Sequence, residues 1–382
     1  MIRKWKEKEI NELNKYKKTG MTKEDIITIA KKLNRSFDSV DRKRNRLNIE
    51  FLYPKVELGI PLKKDDTQLI IDELTNNFAN LIKKDYQVKH YPDVIIKPKG
   101  KQEEIANLVI SDLHAGMVNN FYNNSTGKNE ITYDDGIRKI EEQSYIKSVR
   151  YIYNLLSHTY YFKELKIYLL GDLITNDRIF EGQQFEVSKG YGEQIWEVVF
   201  ELAEMITVLS TMFPKISVYC CVGNHGRSSQ SLKSALNEPV TNNFEYTLYR
   251  ILKLMLEKNK KIEVIVPESR FYSTTNYGHR IFMSHGDTIR GFSSGYLERK
   301  AKELLINLPE GYNLYILGHR HVAERKSISP TAEVLVNGSW INHDNYAFDI
   351  YGSSTKAIQY FFGSSRRRVI SWLFGLDFLE VK

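Results

Sequence analysis

Residues 105–114 read IANLVISDLH, residues 165–172 read LKIYLLGD and residues 216–225 read ISVYCCVGNH. In each, a nearly unbroken run of Val, Ile, Leu, Tyr or Cys stops abruptly at a carboxylate, an amide or an imidazole. An apolar run of this kind, bounded by turn residues, predicts a strand covered on both faces. The stretches between, 136–157 and 192–212, carry the apolar spacing of amphipathic helices, and a further helix is expected over 243–258. The texture continues in KIEVIVP (261–267), HRIFMSHGD (279–287), NLYILGHRH (313–321) and AEVLVNGSW (332–340). AIQYFFG (357–363) and VISWLFGLDF (369–378) read as late strands closing one sheet edge, with the arginines 366–368 in the turn between them. The expected fold class is α/β: a layered sandwich of two mixed sheets flanked by helices.

Open α/β sheets gather ligands beyond the carboxyl ends of their strands. Five of these runs end in side chains able to bind metal: Asp112 and His114, Asp172, Asn224 and His225, His285, and His319 with His321. Each pattern alone is weak, since an Asp-x-His pair or a strand-end histidine is common on ordinary surfaces. Taken together they place five of the nine histidines at strand ends, more than scattered loops would collect. Mixed imidazole, carboxylate and amide donors suit Mn, Fe or Zn better than an all-oxygen calcium site.

The order Asp-x-His, Gly-Asp, Gly-Asn-His, His, Gly-His-x-His resembles that of the calcineurin-like metallophosphoesterases over residues 104–345, with a core similar to the double-strand-break repair nucleases. The resemblance implies two divalent ions, Mn first, with Fe or Zn as alternatives. Asp112, His114 and His321 would hold one ion; Asn224, His285 and His319 the other; Asp172 would bridge both. His225 would sit beside the scissile phosphate without binding metal. Two such ions sharing a hydroxide support in-line attack without a protein nucleophile. In one respect the chain departs from the pattern: an acidic residue usually follows Gly-Asn-His, and Gly226 and Arg227 stand here. Either another acid, such as Asp177 or Glu181, is expected to replace it as the partner of His225, or His225 works without one. Arg227 is expected to grip a phosphate oxygen, or else to be a surface arginine.

The net charge of +8 is unevenly spread: residues 1–50 hold 15 Lys or Arg against 8 Asp or Glu, which is +7 and leaves +1 for the rest. A short basic segment of this kind is suited to an anionic partner. It reads as three helices, over 3–18, from a Thr22 cap, and from a Ser36 cap through Leu47. Phe37, Val40 and Leu47 would face a small core, and Arg42, Lys43, Arg44 and Arg46 would project. GMTKEDIITIAKKLNRSFDSVDRKRNRL (20–47) resembles the helix-turn-helix units of Myb-like and sigma-factor-like proteins, which implies DNA contact through those four basic residues. The domain reading is therefore 1–50 helix-turn-helix, 51–103 connector with one amphipathic helix over 67–84, and 104–382 metallophosphoesterase.

Adjacent Cys220 and Cys221 in an apolar run, and the lack of a secretory h-region, lead us to expect a reducing, intracellular (cytoplasmic) home. No uncharged stretch of about 18 residues suggests a membrane span. The expected function is a DNA nuclease, with a homodimer and a partner ATPase as further expectations for partners. A protein phosphatase or small-nucleotide phosphodiesterase with a localising N-terminus is the alternative, as is a DNA-binding assembly factor with a structural core.

Overall fold

The computed structural model describes residues 5–19, 21, 23–35, 37–49, 91–93, 102–229, 238–289, 311–351 and 356–377, with single positions between 293 and 303. The expected connector helix over 67–84, and the Thr22 and Ser36 caps, lie outside the described residues. The chain divides into two compact units, Met1–Asp65 and Asp66–Lys382.

The first unit contains α1 (Glu7–Asn14), α2 (Lys23–Leu33) and α3 (Phe37–Arg46). Their apolar faces meet in a core of Leu13, Met21, Ile26, Ile29, Ala30, Val40 and Ile49. A buried ion pair, Arg35 to Glu9 at 2.8 Å, ties the end of α2 to α1, and the same guanidinium lies 4.1 Å from the Trp5 ring centroid. One basic residue is not where the sequence put it. Arg44 is buried, and its Nη1 donates to the Ile49 carbonyl at 2.6 Å. The chain reverses after α3 through Asn48 at φ +53°, and the guanidinium satisfies a carbonyl that this reversal turns inward. Arg46 remains exposed, Lys43 is half-buried, and the Arg42 side chain is outside the described set.

The second unit runs β1 (Gln102–Ile110), β2 (Asn119–Asn123), β3 (Lys128–Tyr133), α4 (Asp135–Leu156), β4 (Tyr160–Leu169), α5 (Tyr191–Leu209), β5 (Ile216–Cys220) and α6 (Phe244–Leu256). It continues with β6 (Ile262–Ile265), β7 (Phe271–Asn276), β8 (His279–Ser284), β9 (Leu314–Leu317), β10 (Glu324–Ser329), β11 (Ala332–Val336), α7 (Asn345–Tyr351), β12 (Ile358–Ser364) and β13 (Trp372–Asp377). Two mixed sheets result, in strand orders β13-β12-β1-β4-β5-β6 and β10-β11-β9-β8-β7. Strands β1, β4, β5 and β6 are parallel neighbours, as are β8, β9 and β11.

Strand alternation builds the layers. Leu108, Ile110, Ile167, Leu169, Val218 and Cys220 face the helices α4, α5 and α6. Val109, Tyr168, Leu170, Tyr219 and Cys221 face the second sheet, meeting Ile281, Met283, Ile316 and Leu335. The two cysteines therefore point into opposite layers, as successive strand residues must. The hairpin β2–β3 and the edge strands β7 and β10 were not foreseen. Their alternating exposure leaves no continuous apolar run to read.

Helix α4 begins with Asp134 accepting from the Ile137 N–H at 2.8 Å. One turn later Arg138 is fully buried among Asp135, Glu142, Glu197 and Glu201, which joins α4 to α5 by charge. Its removal leaves Glu142 and Glu201 without this cation, while Lys189 still meets Asp135 and Glu197. Arg138→Met should cost about 3–5 kcal/mol in urea unfolding, well above the cost of a surface arginine; a loss under about 1 kcal/mol would show that this network contributes little.

Glu141, on the same helix, is 5% exposed, with Oε1 accepting from Asn342 Nδ2 at 3.0 Å and no partner for Oε2 among the described residues. Burial raises its pKa from 4.5 to about 8. The folded state thus holds a proton that the unfolded chain releases, so the stabilising contribution is complete below pH 4.5 and is lost as pH rises through 8. Glu141→Gln, which stays neutral, should gain stability relative to the parent across pH 4.5–8 and level off above it. Parallel stability-versus-pH curves would contradict that assignment.

Candidate metal centre

The parallel strands β1, β4 and β5 end side by side, and their pairing continues into the loops beyond. Asp112 N donates to Gly171 O, His114 N to Asp172 O and Ala115 N to Leu173 O, each at 3.0 Å. The β4 and β5 ends touch because both carry glycine there. A Cβ at Gly171 would lie 2.2 Å from the Gly223 nitrogen, and one at Gly223 would lie 2.1 Å from Asp172 Oδ1. Five expected ligands adopt left-handed backbone: Asp112 (φ 53°), His114 (49°), Asp172 (52°), His319 (71°) and His321 (58°). Each such non-glycine residue costs on the order of 1–3 kcal/mol, and such costs cluster where backbone is bent to aim a side chain.

All seven expected ligands come together, although they span more than 200 residues of sequence. His321 Nε2 lies 3.1 Å from His114 Nε2 and 3.4 Å from Asp112 Oδ1. His285 Nε2 lies 2.9 Å from Asp172 Oδ2, 3.0 Å from Asn224 Oδ1 and 3.2 Å from His319 Nδ1. Donor atoms of Asp112, His114 and His321 fall within 4.8 Å of one another, as do those of Asp172, His285 and His319. Asp172 also groups with His114 and His225, so it stands between the two sets.

The donor chemistry fits cations. His285 gives its Nδ1 proton to Leu170 O at 2.8 Å, which leaves the Nε2 lone pair facing a carboxylate, an amide oxygen and another imidazole. Acceptors converging on acceptors need a positive charge between them. With no ion between them, a proton on each of two rings can supply that charge. Burial lowers the His285 pKa, but Asp172 overrides it and raises the pKa to about 10; His321 is likewise raised to about 10, against burial, by Asp344 and Asp112. His114 moves the other way: burial, then His225 and His321, push it well below the ordinary value, and its buried Nδ1 has no partner among the described residues. Asp172 stays well below the carboxylate range despite burial, because His285 and His225 face it.

His225 lies at the edge of this cluster, its Nε2 4.0 Å from Asp172 Oδ2 and its ring 4.6 Å from that of His114. Neither Asp177 nor Glu181 is its partner. Nδ1 is 2.8 Å from the Thr175 carbonyl, which also accepts from Gln183 Nε2 at 2.7 Å. Asp177 instead pairs with Arg178. The carbonyl can only accept, so Nδ1 carries the proton and the imidazole is held in one tautomer, with Nε2 toward the cluster. Arg227 is not a surface arginine. It is buried, with Nε donating to Ser229 O at 3.0 Å, Nη2 to Ile179 O at 3.4 Å, and the guanidinium 5.1 Å from the Phe180 ring centroid.

Gly226 has a packing reason. A Cβ there would lie 2.1 Å from Asn243 Oδ1 and 2.7 Å from Glu245 Cγ. Glu245, which sequence reasoning missed, fills that region from the first turn of α6. Its Oε1 accepts from Leu173 N at 2.5 Å and its Oε2 from Gly223 N at 2.6 Å, the residues flanking Asp172 and Asn224. Asn243 caps the same helix through Glu245 N and donates to Gly223 O. An Asn cap followed by an acid in the first turn was a legible helix start, but nothing in the sequence pointed it at these loops. Asp344, also missed, accepts from His321 Nδ1.

No family model matches the chain, and no curated protein matches it. Among solved structures it is similar to Zn-complexed Vps29 from Entamoeba histolytica: 10% identity, 72% of this chain and 99% of that one, TM-score 0.32. A conserved protein of Streptococcus pneumoniae, described as a predicted phosphoesterase, gives 12% identity, 71% and 98% coverage and a TM-score of 0.28. Vps29 from Chaetomium thermophilum gives 10%, 71% and 97%, and 0.30. At these scores the likenesses bear on neither activity nor substrate.

Because Glu245 holds both ligand loops without being in either, Glu245→Gln should weaken Mn²⁺ or Zn²⁺ binding about 10–100-fold by calorimetry, while Glu245→Asp recovers part of the loss. Unchanged affinity in a folded Gln variant would remove Glu245 from this role.

Proposed function

We propose that the chain is a metal-dependent phosphoesterase of the calcineurin-like type. One observation carries the reading: imidazole, carboxylate and amide acceptors from five loops converge in two adjoining groups with Asp172 between them. Asp112, His114 and His321 would hold one divalent ion and Asn224, His285 and His319 the second, with Asp172 shared. When bound, such a pair supplies Lewis-acid polarisation of phosphoryl oxygens and of an attacking water. The protein's own contribution is orientation. Leu170 O fixes the His285 ring and Asp344 that of His321. With Nδ1–H on Thr175 O, His225 presents Nε2 as the atom that can hold or release a proton at the leaving oxygen.

The reading extends to DNA as substrate. Residues 1–50 carry nearly all the net charge, and Lys17, Lys18, Lys31 and Arg46 are exposed there, although Arg44 is not. A basic, three-helix segment supplies salt-dependent affinity for phosphate backbones.

Purified protein with Mn²⁺ should hydrolyse bis(p-nitrophenyl) phosphate and nick single- or double-stranded DNA. Chelation should abolish both, and Asp172→Ala and His225→Ala should each reduce kcat by about 10²–10⁴-fold. Metal-loaded protein inert toward every phosphoester would sink the enzyme reading. Hydrolysis of the small diester or of phosphopeptides with no cleavage of any DNA would leave the phosphoesterase and remove its nucleic-acid substrate.

A further inference from the structure

The loop between Asp172 and α5 carries an aromatic ring that the chemistry above does not use. Phe180 is 47% exposed, with its ring centroid 5.4 Å from that of His225. The loop beneath it is tightly held. Buried Gln183 accepts from the N–H groups of Ile179 (2.8 Å) and Phe180 (3.3 Å) and donates to Thr175 O, the carbonyl that also orients His225. Buried Asn176, at φ +65°, donates to the carbonyls of His225 and Arg227 at 2.8 and 3.2 Å. Arg227, itself fixed by the Ser229 and Ile179 carbonyls, lies over the Phe180 ring at 5.1 Å. An apolar ring, about half exposed, is thus carried on a firmly held loop, backed by a cation and registered to the candidate leaving-group histidine through a shared carbonyl. Tyr346, the ring beside His321 at 4.9 Å, is by contrast half-buried against the cluster.

We propose that Phe180 is a stacking platform for the nucleobase next to the scissile phosphate, so that the site selects phosphodiesters bearing an unstacked base. Any base offers a π-face, and stacking on a ring carried by a firmly held loop needs little further ordering of the protein. The proposal rests on the phosphoesterase reading and narrows its substrate to single-stranded or flipped-out nucleotides.

The test compares the full chain with Phe180→Ala and Phe180→Trp, all loaded with Mn²⁺. The substrates are the dinucleotide TpT, its two analogues with a tetrahydrofuran abasic residue on either side, and bis(p-nitrophenyl) phosphate as a check on the reading beneath. Stacking is worth about 1–3 kcal/mol per base, so Phe180→Ala should lower kcat/KM on TpT roughly 5–150-fold, mostly through KM. It should change the turnover of one abasic analogue less than about twofold, and Phe180→Trp should retain activity on TpT. Equal losses on TpT and both abasic analogues would mean that the ring only shields His225, and would overturn the proposal; so would no loss at all, or a parent enzyme that hydrolyses the small diester but not TpT. Failure of the parent on every substrate would instead overturn the phosphoesterase reading, and this proposal with it.

Discussion

The second unit is organised around one buried carboxylate. Asp172 is 1% exposed, and burying an ionised group this deeply is tolerated only when each oxygen is met by a donor or a positive charge. Its Oδ1 accepts from the His225 N–H at 2.7 Å, and its Oδ2 faces His285 Nε2 at 2.9 Å. Its backbone carbonyl receives the His114 N–H. The loops after β1, β5 and β8 are therefore fixed relative to the end of β4 by a single residue. Loss of that carboxylate would free the loops after β5 and β8 together, while the His114 contact, made to the backbone, would stay.

Local distortion and electrostatics agree at this point. The strands stop being regular where they must aim side chains forward, and the left-handed residues there are the ligands themselves. Glycine at 171 and 223 allows the loops to touch, and the polar groups that the turns leave unpaired are taken up by Glu245, Asn243, Gln183 and Asn176. The acid absent after Gly-Asn-His is thus not replaced by a nearby acid in sequence. A backbone carbonyl orients the histidine, and a glutamate from α6 occupies the space and braces the loops. Two functions that one side chain could have served are divided between two elements.

Much of this was legible in advance for identifiable reasons. The central strands β1, β4, β5, β8, β9 and β11 are buried on both faces, so their sequences are continuous apolar runs, and a polar residue ending such a run stands out. The seven expected ligands were read from those endings, and each lies in the cluster. Strands with one open face, such as β10 (ERKSIS), look like loops to the same reading. Arg44 was misplaced because a basic residue on a largely polar helix is read as solvent-facing, whereas the reversal at Asn48, four residues on, brings the Ile49 carbonyl to it.

The sequence by itself determined the α/β layering, the order of the strand ends and the kinds of donor atom at each, because burial periodicity and residue chemistry are local properties. Only the tertiary structure decided which carbonyl holds His225, that Glu245 and Asp344 support the ligand loops, that Arg227 is buried against the Ile179 and Ser229 carbonyls, and that Phe180 stands beside the site. Those are contacts between residues far apart in the chain, or turns set by packing, and no local pattern encodes the distance between them.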